Sequence, residues 1–172
     1  MCVGCGVVQP PRLGADLFAA LGLPRRYHID EKQLASAWRV MSRRVHPDRF
    51  SGRPAVERRM SLQWTVTVNE ARRVIADPVL RARYLATGVA TPRDDGGPAL
   101  DADFLEEIFD LQMEASADPE GTQARAISRR DGLQAELDAI FTAWEAGEGD
   151  LVGVEERLVR LKYFTNTISP PA

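Results

Sequence analysis

Between residues 31 and 45 the apolar positions repeat at helical spacing. Leu34, Trp38, Met41 and Val45 fall within about 60° of one another on a wheel of 100° per residue. That stripe predicts a core-facing helix over Glu31–Val45, with Asp30 as its N-cap and Gln33, three residues on, forming a capping box. The helix must stop by His46, because Pro47 disfavours helical geometry in the residue before it. A short helix is expected near Asp16–Leu21, ended by Gly22 and Pro24, and a long one from about Pro54 to Ile75. In the long helix Met60, Trp64, Val68, Ala71 and Ile75 line one face, whereas Leu62 and Val66 fall elsewhere. Asp77-Pro78 supplies an N-cap and a proline at the first helical position of a fourth helix, which runs to about Ala86.

The stretch 89–100, VATPRDDGGPAL, reads as a linker. Three more helices are expected beyond it. Asp101 caps one from Ala102 to about Ala115, which Asp118-Pro119 interrupts. The next runs from about Thr122 to Ala146, with Leu133, Leu137, Ile140 and Trp144 at helical spacing. After a Gly147-Glu148-Gly149 turn, the last carries Leu151, Val154, Leu158, Leu161 and Ile168 on one stripe and stops before Pro170. No segment alternates as a strand does. The expectation is an all-α chain of four helices and then three.

Charge sharpens this division. Residues 1–90 carry 15 Lys/Arg and 7 Asp/Glu, a net +8, and residues 91–172 carry 7 and 18, a net −11. Two units with different electrostatic tasks are implied, and the sign changes at the linker. Overall the 172 residues are ordinary for a globular protein, 44% hydrophobic and 27% charged. No run approaches the roughly 18 consecutive apolar residues of a membrane helix, so no membrane role is expected. Neither a secretory signal nor a disulfide framework is expected with Cys2 and Cys5 as the only cysteines, and the chain reads as cytoplasmic.

On the second helix Lys32, Ser36, Arg39 and Arg43 cluster opposite the core stripe, with Arg44 between the two. This cationic face contains no acid, and it ends at His46-Pro47-Asp48. Downstream come Val68-Asn69-Glu70-Ala71, Ile75-Ala76-Asp77-Pro78 and Arg83-Tyr84-Leu85; upstream lie Leu17-Phe18 and Leu21-Gly22-Leu23-Pro24. Together these resemble a J domain over about residues 15–88, a helical hairpin with a His-Pro-Asp turn. The resemblance implies a co-chaperone whose basic second helix docks on an acidic surface of a DnaK/HscA-type heat-shock chaperone, and whose turn stimulates that partner's ATPase. The implied contact residues are Lys32, Arg39, Arg43, Arg44, His46, Pro47, Asp48 and Arg49. In that picture Asp48 accepts from a partner arginine, Pro47 stiffens the turn and His46 orients it.

The C-terminal half narrows the family. Asp103-Phe104-Leu105-Glu106-Glu107, the segment Leu158–Phe164 (LVRLKYF) and Leu23-Pro24-Arg25-Arg26-Tyr27 resemble the HscB family of iron–sulfur co-chaperones. The resemblance implies that residues 101–168 form a three-helix bundle that binds the scaffold, an IscU-type protein, on which clusters are built. The helix after Asp101 agrees with this from its own pattern. Phe104, Ile108, Leu111 and Ala115 form one apolar stripe, and Leu105, Phe109 and Met113 form a second, roughly 130° away. A small bundle usually buries one stripe, so the second is expected to meet a partner, with Glu106 and Asp110 beside it and Tyr163 and Phe164 as further candidates. A hydrophobic staple between Leu100 and Leu105 is the competing use of Leu105.

Cys2 and Cys5 form a C-x-x-C in the leader 1–14. Structural zinc wants four ligands, so no closed metal site is expected within one chain, and no cofactor. Having no function, holding a metal shared between two chains, and acting as a redox dithiol all stay open for the pair. A nucleic-acid role for the basic half, through Arg58, Arg59, Arg72 and Arg73, lacks a base-reading motif and is not expected. An enzyme is not expected either, for want of a phosphate loop, a complete metal site or a nucleophile–base pair.

Overall fold

The computed structural model describes residues 10–11, 14, 16–91 and 98–168. Cys2, Cys5 and half of the expected linker lie outside the described residues. Those described form seven α-helices, one 3-10 turn and no strand. The helices are α1 (Leu17–Leu21), α2 (Glu31–Val45), α3 (Ala55–Ala76), α4 (Pro78–Thr87), α5 (Ala102–Glu114), α6 (Pro119–Glu145) and α7 (Val154–Ile168), and the 3-10 turn spans Pro47–Phe50 between α2 and α3. Among the described residues no helix is long and apolar enough to cross a membrane.

Two compact units emerge, Met1–Arg81 and Ala82–Ala172. The division falls inside α4 rather than in the stretch 89–100. The Arg81 guanidinium donates back to the Ile75 carbonyl and lies over the Tyr27 ring, tying the first turn of α4 to the N-terminal unit.

In the N-terminal unit the helix ends follow capping chemistry. Asp16 accepts from the Ala19 amide at 3.0 Å, and α1 ends on Gly22 at φ +69°, a left-handed position that glycine occupies without a Cβ penalty. Asp30 accepts from the amides of Lys32 and Gln33 at the head of α2, and Asp77 from those of Val79 and Leu80 at the head of α4. α3 packs against both α1 and α2. Its core side is Ser61, Val68, Ala71, Val74 and Ile75, set against Phe18, Leu34, Val45 and Phe50. Met60 and Trp64, expected on that face, are half-buried. A five-residue α1 is about 8 Å long and cannot cover an α3 of about 33 Å, so burial concentrates on Val68–Ile75.

In the C-terminal unit Phe104, Ile108, Leu111, Ala126 and Phe164 form one buried cluster, against which Leu100, Leu133 and Ile168 pack. α6 starts at Pro119, earlier than the pattern suggested. Asp118 caps it by accepting from the Gly121 amide at 2.9 Å, and Pro119 occupies the first turn, where a missing N–H costs nothing. α7 starts at Val154, so Leu151 precedes the helix whose stripe it was expected to join.

Candidate functional site

Two surfaces, one on each unit, carry the residues singled out by pattern. On the first, Leu34 and Val45 of α2 are buried and Trp38 and Met41 half-buried, so Lys32, Arg39 and Arg43 point outward, and Arg44 is exposed as well. α2 is clipped to α3 at its middle and at its C-terminal end. The Trp38 indole donates to the Asn69 side chain at 3.1 Å, and Arg72 stacks 4.0 Å over the same ring. At the C-terminal end, the carbonyl of Val45 has no partner within its own helix. Ser61, buried in α3, donates its hydroxyl to that carbonyl at 2.6 Å, and Thr65 approaches it at 3.5 Å. Nothing in the apolar periodicity pointed to Ser61 or Thr65. The available signal was a pair of hydroxyls at i and i+4 on the side of α3 that faces its neighbours.

The turn that follows is built from its own residues. His46 leaves the helix at φ −57°, ψ 131°, and Pro47 opens the 3-10 turn. The His46 Nδ1 accepts from the Asp48 amide at 3.3 Å, while the Asp48 carbonyl accepts from the Ser51 hydroxyl at 3.0 Å. Phe50 is buried and anchors the far side of the turn. The backbone of Asp48 is therefore fixed while its side chain, 89% exposed, stands in solvent. Its carboxylate is 3.5 Å from His46 Nδ1. That nitrogen can accept the amide only while it carries no proton, so the contact becomes an ion pair only in the imidazolium, which loses the amide bond. Arg49, also exposed, donates to the Arg43 carbonyl at 3.4 Å. The arrangement has the chemistry of a pre-set carboxylate acceptor beside a cationic helix face.

The other basic side chains of α3 are partly committed elsewhere. Arg72 covers Trp38, and Arg73 makes two bonds to the Glu70 carboxylate, at 2.8 and 2.6 Å. Those bonds hold the Glu70 carboxyl below its ordinary range and push the Arg73 guanidinium up.

The second surface lies on α5. Phe104, Ile108 and Leu111 face the core, and the second stripe stays in water, with Leu105, Phe109 and Met113 at 50%, 61% and 66% exposure. Leu100 packs on the core cluster while Leu105 remains exposed. Glu106 and Asp110 are exposed beside the stripe. Tyr163 and Phe164 part company. Both rings meet Phe104 edge-on at 5.7 Å, but Tyr163 is 40% exposed and Phe164 only 2%. Phe164 is a core residue, not a surface one, because the step of about 100° between neighbours on a helix turns it inward where Tyr163 is turned out.

Three arginines unremarked in the sequence organise the acidic side of α5. Arg125 pairs with Glu114, Arg129 with Glu107 and Arg160 with Asp101. Asp101 also accepts from the Phe104 amide at 2.8 Å. That bond, with the Arg160 charge, holds its carboxyl below the usual range. Glu106 and Asp110 have no such arginine partner among the described residues.

No protein-family model matches the chain. A co-chaperone protein HscB homolog of Cupriavidus taiwanensis is 38% identical over 153 residues, which cover 83% of this chain and 84% of that one. The homolog of Azoarcus sp. is 42% identical over 124 residues, 71% of this chain and 66% of its own. That of Bordetella pertussis is 44% identical over 91 residues, so the match spans about half of its length, 54%. Among solved structures, the crystal structure of human co-chaperone protein HscB aligns with a TM-score of 0.71 at 28% identity, over 96% of this chain and 85% of that one. Chaperone HscB from Vibrio cholerae aligns with a TM-score of 0.66 over 89% of this chain and 93% of its own, and at 24% identity it speaks to the fold. With a relative 38% identical over most of both chains, and the same all-helical fold, this chain belongs to the HscB co-chaperone family.

Proposed function

We propose that the chain stimulates the ATPase of a DnaK/HscA-type heat-shock chaperone and delivers to it an iron–sulfur cluster assembly scaffold of the IscU type. Residues 15–88 act as the J domain and residues 101–168 as the client-binding unit. The observation that carries the reading is Asp48. A carboxylate 89% exposed on a turn whose backbone is fixed at both ends is a poor structural investment and a good acceptor for a partner guanidinium. The cations of α2 steer encounter with an acidic surface, since Lys32, Arg39 and Arg43 act together at a distance where single contacts do not. The chain performs no covalent step, and ATP chemistry belongs to the chaperone. On the second unit, Leu105, Phe109 and Met113 offer apolar area, with Glu106 and Asp110 beside it on α5 and the exposed Tyr163 of α7 as a further contact.

The test is an ATPase assay with a DnaK-type chaperone, the full chain, and a scaffold protein present or absent. Stimulation by the chain, raised further by scaffold, supports the reading. Stimulation without any effect of scaffold points to a J-domain protein with another client.

A further inference from the structure

The cationic face of α2 also holds an apolar side chain. Val40 is 46% exposed. On the wheel it lies about 60° from Arg43 and about 40° from Arg44. Ser36 sits one turn before it and Arg44 one turn after, so it lies between the cluster of Lys32, Arg39 and Arg43 on one side and Arg44 on the other. A single exposed apolar residue generally needs no cause. Two features set this one apart from the more exposed Val56 and Val66 of α3. The neighbours bring charge without any acid, and charge repels a random apolar contact. The position falls within the very arc proposed to dock.

We propose that Val40 is the apolar centre of the α2 docking face, and that the acidic chaperone surface it meets carries an apolar depression bordered by carboxylates. This rests on the J-domain reading given above. Interfaces with a dry apolar centre and a charged rim divide the labour: rim charges set the encounter rate, while the buried centre sets the dissociation rate. A charged chaperone side chain opposite Val40 would be buried without a partner, so Val40 also discriminates among chaperones that share the acidic rim.

The experiment measures binding kinetics of the full chain to a DnaK-type chaperone over a salt series, for wild type, Val40→Ser, Val40→Lys and Arg43→Ala. An exposed α2 position tolerates these changes, and melting curves confirm the fold. The expected result for Val40→Ser is an affinity about three- to tenfold weaker, the worth of burying the exposed half of a valine. The loss lies in faster dissociation, and the slope of affinity against salt is unchanged. Arg43→Ala should instead slow association and flatten that slope. Val40→Lys decides the matter, since it weakens binding if the centre is apolar and tightens it if the face is purely electrostatic. Tightening by Val40→Lys, or wild-type binding by Val40→Ser, overturns the proposal while leaving the J-domain reading intact. That reading fails separately, if the wild-type chain neither binds nor stimulates the chaperone.

Discussion

The hydroxyl of Ser61 donates to the carbonyl of Val45 at 2.6 Å, in a buried contact that joins α3 to the last residue of α2. The His-Pro-Asp turn begins at the next residue, His46, so this bond fixes where the turn starts. Ser61→Ala removes the donor and leaves a buried carbonyl with only the long contact to Thr65. The expected cost is about 1–3 kcal/mol in chemical denaturation. ATPase stimulation should fall by more than the unfolded fraction explains, because the turn loses its anchor. Wild-type stability in the variant would show that the bond contributes nothing net.

His46→Gln and Asp48→Asn should abolish chaperone stimulation without altering the melting curve. Both side chains are exposed, at 56% and 89%, and substitutions at such positions usually stay within about 0.5 kcal/mol. Asparagine keeps the shape of Asp48 but removes the charge that makes its acceptor strong. Full stimulation by both variants would remove the assignment of the turn.

Asp101 predicts an acid sensitivity of the C-terminal unit. Its carboxyl is held low in the folded chain, first by the Phe104 amide and then by Arg160. A depressed folded-state value contributes stability that is fully present above the ordinary aspartate value and is lost as pH falls through the folded value. Asp101→Asn keeps an oxygen for the cap but loses the charge. At neutral pH the wild type should therefore melt above the variant, and the gap should close in strong acid. A gap independent of pH would mean that the Arg160 and macrodipole contributions are negligible.

Periodicity sufficed where one helix face alone meets a neighbour. On α2 it separated Leu34 and Val45 from Lys32, Arg39 and Arg43, and on α5 it separated Phe104 from Leu105. It failed where one residue carries two messages. Asp118-Pro119 has the same cap-and-proline chemistry as Asp77-Pro78, but following a helix end it reads as a breaker. Phe164 is one position from exposed Tyr163, and a stripe that wrongly included Leu151 did not place it. Val40 disappeared among the cations around it. The ion pairs of Arg129 with Glu107 and Arg160 with Asp101 join residues 22 and 59 positions apart, a separation that no local pattern encodes.

The α5 stripe offers a paired test on neighbouring apolar residues of one small unit. Leu105 and Phe109 are 50% and 61% exposed, whereas Phe164 is 2% exposed and meets Phe104 edge-on in the core. Replacing Leu105 and Phe109 together with alanine removes area that water already reaches, so the melting temperature should hardly move. Affinity for an iron–sulfur scaffold should fall at least tenfold (~1.4 kcal/mol), because truncating apolar anchors at the centre of an interface accounts for most of its energy. Phe164→Ala should do the reverse at first sight, costing about 3–5 kcal/mol of stability and weakening the scaffold only through loss of folded protein. Tyr163→Ala should lower scaffold affinity modestly and keep the fold, since its ring is 40% exposed and packs on Phe104 by one edge. Calorimetric titration with the scaffold, beside thermal melting of the same samples, separates these outcomes. If the Leu105/Phe109 variant melts early, the stripe belongs to the core. If it melts normally and binds normally, the scaffold docks on another face.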